Sequence, residues 1–116
     1  MTQSRNLRTV IDEIIDHIDY VLAKTRDMSA AEFRVNRDVR QSTERSLEII
    51  SEASRRLPVE LRQIRSDIPW RQVADFGNVL RHTYFAVNPD IVWSIVTEHL
   101  APLRDAMTFL RNNLSQ

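Results

Sequence analysis

Apolar residues recur along this chain at three- and four-residue steps, in blocks separated by prolines and small polar residues. Leu7, Val10, Ile11, Ile14, Ile15, Ile18, Val21 and Leu22 form the first block, which predicts an amphipathic helix from about Ser4 to Arg26. A break follows at Met28. Ser29 then caps a short helix, Glu32 stands at the capping-box position, and Phe33 is its anchor to the core. A second long helix is predicted from Asn36 to about Leu57, with Val39, Thr43, Leu47, Ile50, Ala53 and Leu57 on one face and Pro58 setting its end. Residues 58 to 68 read as a short helix or a helical loop. Pro69 takes a favoured first-turn position for a helix through the 70s, and Asn88-Pro89 reads as the N-cap and first residue of the last helix. That helix carries Val92, Val96, Leu100, Leu103, Met107, Leu110 and Leu114, with Pro102 inside it, expected to bend it. The stripe suits either packing within one chain or a dimer interface.

One glycine in 116 residues and no alternating apolar run argue against strands. The predicted architecture is all-α, an antiparallel bundle of about four main helices with short connecting helices. The length allows one domain, residues 1–116, and one core. Net charge is zero, which argues against a strongly basic nucleic-acid surface, yet Lys24 is the only lysine and the remaining positive charge is arginine. The absence of cysteine excludes disulfides, thiolate metal sites and a cysteine nucleophile. No apolar block is long enough for a signal peptide or membrane span, so a cytoplasmic location is expected. No glycine-rich phosphate loop, zinc signature or repeat is present, and no cofactor or metal is expected.

The densest grouping of chemically capable side chains is WRQVADFGNVLRHTYFAVNPDIVW, residues 70 to 93. On a helical wheel Arg71, Asp75, Asn78 and His82 share one polar stripe, while Trp70, Val73, Leu80 and Tyr84 gather opposite. His82 falls near a helix end, where side chains are accessible. Elsewhere, His17 between Asp16 and Asp19 makes a metal site conceivable, although such a grouping is usually a solvated face. Glu52 reads either as a half-buried acid pairing Arg81 or Arg71, or as part of a charged outer face with Arg55 and Arg56.

The run NVLRHTYFAVNPDIVW resembles the signature of the HepT-type toxins of the HEPN superfamily: arginine, four residues, histidine, one residue, tyrosine, then a turn and a helix with Val-Trp. His82, Tyr84, Val92 and Trp93 match it, and EIISEA at residues 48 to 53 resembles a second family run in the same order. Ser51 takes the place of a frequent family glycine, both being small enough for close helix approach. The resemblance spans roughly residues 7 to 110. It implies a HEPN-like fold, a homodimer whose motifs meet in a cleft, and metal-independent cleavage of RNA by an endoribonuclease. It further implies a minimal nucleotidyltransferase antitoxin that attaches AMP to Tyr84.

Position 77 departs from the pattern, because glycine stands where the family has arginine. The expected catalytic set is therefore His82 and Asn78 with Arg81 as a substitute cation, supported by Arg71, Asp75 and Glu52. Arg71 lies roughly 16 Å from His82 at 1.5 Å per residue, so it is not an obvious replacement within one chain. Weak or altered RNA cleavage is one expectation. The alternative is a non-catalytic dimeric partner of a nucleotidyltransferase, still modified on Tyr84.

Overall fold

The computed structural model describes the backbone of residues 2–81 and 88–114, and the side chains of residues 6–80 and 88–114. Among the described residues six helices follow one another: α1 (Thr2–Thr25), α2 (Ala30–Val35), α3 (Arg37–Ser54), α4 (Val59–Ile64), α5 (Trp70–Arg81) and α6 (Pro89–Leu114). The described residues contain no strand, in keeping with the all-α expectation. No helix among them is long and apolar enough to cross a membrane.

The local signals set the helix starts. Ser29 and Glu32 form a reciprocal capping box, at 3.1 and 2.8 Å, ahead of α2. The Asn36 side chain accepts from the Val39 amide at 3.0 Å to start α3, and the Asn88 side chain accepts from the Asp90 amide at 2.8 Å to start α6. The end of α3 comes earlier than Pro58 alone suggests. From Arg55 to Leu57 the amides bond three residues back rather than four, so the helix tightens into turns before the proline is reached. Residues 59–64 resolve as the short helix α4, and the Trp70 indole N–H donates to the carbonyls of Arg62 and Arg65 at its end.

Polar contacts between helices give the directions of packing. His17 on α1 lies 3.2 Å from Ser46 on α3, and Glu13 pairs with Arg56, so those helices are antiparallel. Asp12 pairs with Arg111 and Asp19 with Arg104, one heptad apart on each helix, so α1 and α6 are antiparallel too. Arg55 reaches Ala74, and Ser51 reaches Gly77, which sets α3 against α5 in opposite directions. α2 packs across α3 and α6.

The core between α1, α3 and α6 contains Ile11, Ile14, Ile18, Val21, Phe33, Leu47, Ile50, Leu100, Leu103, Met107 and Leu110, all at most 1% exposed. Burial of each large side chain contributes about 1.5–3 kcal/mol. The apolar stripe of α6 is consumed here: Val92 through Leu110 are buried, and Leu114 packs partly against the same core. The stripe is therefore no free dimer surface, a correction to one of its two sequence readings. α6 also runs unbroken through Pro102, which is exposed. The hydrogen bond missing at the proline leaves a carbonyl one turn back on the solvent side of the helix.

Candidate functional site

α5 is the helix that carries the candidate chemistry, and its position is set by α3. The Ser51 hydroxyl donates to the Ala74 carbonyl at 2.7 Å and accepts from the Gly77 amide at 3.1 Å. Arg55 donates to the same Ala74 carbonyl at 2.8 Å. Ser51 and Gly77 are both buried, so two small residues meet where the helices cross. Below this contact Val73 and Phe76 enter the core, Leu80 does so above it, and Phe76 meets the His99 ring of α6 edge-on at 5.6 Å. A side chain at position 77 would project into α3. The glycine here serves packing.

The polar stripe of α5 faces outward. Arg71 and Asp75 are exposed, Asn78 is half-buried, and the Asn78 amide donates to Asp75 at 3.3 Å. Structure thus joins Asp75 to Asn78 but leaves Arg71 without an ion pair among the described residues. Arg81 is the last residue of α5, and its side chain lies outside the described set, as do His82 and Tyr84 altogether. Glu52 is exposed and shares the charged side of α3 with Arg45, Glu48 and Arg56, the placement expected of the outer-face reading. Arg55 leaves that face to hold α5. His17 is half-buried against Ser46 rather than grouped with Asp16 and Asp19 around a ligand position.

The described ends of α5 and α6 define a corner. α6 enters it with Asp90 paired to Arg34 of α2 at 2.9 Å, and with Trp93 tilted against Phe33 at 5.1 Å between ring centres. α3 forms its wall, because residues of α3 before Ser51 lie progressively toward the C-terminal end of α5. Arg40 and Glu44 stand on that wall, both half-buried. Burial pushes the Glu44 carboxyl above its ordinary range; Arg40 opposes that shift and Glu48 adds to it. The sequence reading passed over Arg40 and Glu44. Their signal was available in the heptad spacing of 44 and 51, which puts Glu44 on the face of α3 that meets α5.

A family model described as ribonuclease HepT-like matches residues 11–110, which takes in α3, the corner and most of α6. The chain belongs to the ribonuclease HepT-like family. A Thermococcus cleftensis protein named probable ribonuclease HepT is 29% identical over 92% of this chain and 97% of its own length. A Methanocaldococcus jannaschii protein named a putative RNase is 30% identical, covering 86% of this chain and 92% of the relative. Another putative RNase, from Caldanaerobacter subterraneus subsp. tengcongensis, is also 30% identical, over 83% and 86%. No solved structure matches this chain. Membership of the HepT-like family accounts for the all-helical bundle.

Proposed function

We propose that this chain is a HEPN-type, metal-independent endoribonuclease of low activity, working in the cytoplasm as a homodimer and paired with a minimal nucleotidyltransferase. The observation that carries this reading is the family match across residues 11–110, together with His82 and Tyr84 at the motif positions. In the proposed reaction His82 takes the proton of a ribose 2′-hydroxyl, whose oxygen attacks the adjacent phosphorus, or returns a proton to the departing 5′-oxygen. A cation offsets the charge that builds on the phosphate oxygens, and Asn78 donates a hydrogen bond beside it. Arg81 is the nearest candidate cation by sequence. Asp75 holds Asn78, while Arg71 and Glu52 serve at the margin of the site or from a second copy.

Low activity follows from position 77. Loss of one charge-stabilising donor costs on the order of a hundredfold in rate, and Gly77 is buried against Ser51, so no charge enters from that residue. The same observation favours the second reading, a dimeric binding partner that no longer cuts. Cleavage of a structured RNA by the wild type, lost in His82→Ala, supports the enzyme; equal products from both proteins sink it. For the partner, incubation with a cognate nucleotidyltransferase and ATP should add AMP to the wild type and not to Tyr84→Phe. Addition that persists in Tyr84→Phe removes the modification site from the proposal.

A further inference from the structure

Arg40, Glu44, Ser51 and Arg55 lie within about 60° of one another on the α3 wheel. Ser51 and Arg55 both bond α5, so this stripe is the one that α3 turns toward α5. Arg40 lies eleven residues before Ser51, roughly 16 Å along α3, whereas α5 continues only four residues, about 6 Å, beyond Gly77. The guanidinium therefore belongs to a level past the last described residue of α5. At that end of α3 stands the start of α6, held by the Arg34–Asp90 pair and by the Asn36 cap. Arg40 is on the wall of the corner.

Its bonding is incomplete. The Arg40 Nε is buried without a hydrogen-bond partner among the described residues, and Arg40 forms no ion pair there, although Glu44 one turn along attracts it. Arg34, Arg55, Arg56, Arg65, Arg104 and Arg111 are all engaged with carboxylates or a carbonyl. The unmade Nε–H costs about 1–3 kcal/mol, while the terminal nitrogens of this half-buried side chain are not among the buried unpartnered atoms and are open to a ligand in the corner. Arg62 also has a buried, unpartnered Nε, but it sits on α4, away from the corner. A planar fork of donors is matched by phosphate oxygens.

We propose that Arg40 is a phosphate-contacting residue of the RNA site, supplying from α3 the positive charge that position 77 lacks. This rests on the ribonuclease reading for its ligand, and its test is a binding measurement that needs no cleavage. A short 2′-O-methyl RNA has no 2′-hydroxyl to attack and stays intact. Its affinity is measured against salt for wild type, Arg40→Ala, Arg40→Gln, Arg40→Lys and Arg62→Ala. Arg40→Ala and Arg40→Gln are expected to weaken binding about tenfold and to reduce the salt slope by about one phosphate contact. Arg40→Lys should keep the slope while losing part of the affinity, and Arg62→Ala should change neither. Arg40→Gln keeps most of the side-chain volume and carries the test if the alanine variant loses helicity. Wild-type affinity and slope in folded Arg40→Gln overturn the proposal, and so does a wild type that does not bind at any salt. Arg40-dependent binding without wild-type cleavage of unmodified RNA leaves the contact standing and removes the ribonuclease. Cleavage undiminished in Arg40→Gln does the reverse.

Discussion

The Gly77 amide donates to the Ser51 hydroxyl across the α3–α5 contact at 3.1 Å, while that hydroxyl donates to the Ala74 carbonyl. One serine thus holds two backbone groups of the neighbouring helix, and the arrangement depends on position 77 having no side chain. Restoring the family arginine at 77 is therefore expected to damage the fold instead of raising activity. Overpacking and an unpaired charge in a buried contact together cost about 3 kcal/mol or more. Ser51→Ala should lose about 1 kcal/mol, because Arg55 still reaches Ala74. Urea unfolding of both variants measures this, and a Gly77→Arg protein as stable as wild type would show that the crossing has room.

Thr43 is fully buried on α3, and its hydroxyl has no hydrogen-bond partner among the described residues. Valine has nearly the same shape without the polar atom. Thr43→Val should raise stability by about 1 kcal/mol. A drop in the urea midpoint would mean that the hydroxyl is satisfied after all.

Glu44 gives a pH dependence of known sign. Its carboxyl is raised above 4.5 mainly by burial, so the folded chain binds that proton more firmly than the unfolded one. Its favourable contribution is present below pH 4.5 and is lost as pH rises through the folded value. Glu44→Gln should be more stable than wild type at pH 7 and lose that advantage toward pH 4. An advantage that is constant across this range would assign the gain to packing.

The proposed homodimer has to form without the stripe of α6, which the core already uses. Exposed apolar side chains remain on both sides of the corner, Val79 at 42% on α5 and Ile91 at 46% on α6. Light scattering should give twice 13.6 kDa at micromolar concentration, with Ile91→Asp shifting mass toward the single chain. A wild type that stays at 13.6 kDa would remove any composite cleft.

Helix starts were legible because their causes are local: Ser29 with Glu32, Asn36 and Asn88 each act within three residues of their own position. The apolar stripes of α1, α3 and α6 were equally legible, since periodicity alone decides which face is buried. What could not be read was which polar residues bond a neighbouring helix. Arg55 looks like Arg56 in the chain, yet one bonds a carbonyl of α5 and the other pairs with Glu13 on α1. They differ by about 100° of helix rotation, and only the position of the neighbouring helices gives that rotation a meaning. Arg40 escaped for the same reason, being far in sequence from α5 and α6.

The two ion pairs one heptad apart between α1 and α6 also determine what can be attached to this molecule. They bring the described chain ends together at one pole of the bundle, and roughly 30 Å of α6 then separates Arg111 from Asp90 at the corner. A tag, a surface tether or a fused domain at either end would load the pole remote from the corner. The protein could be immobilised by both ends at once with its candidate site still turned to solution.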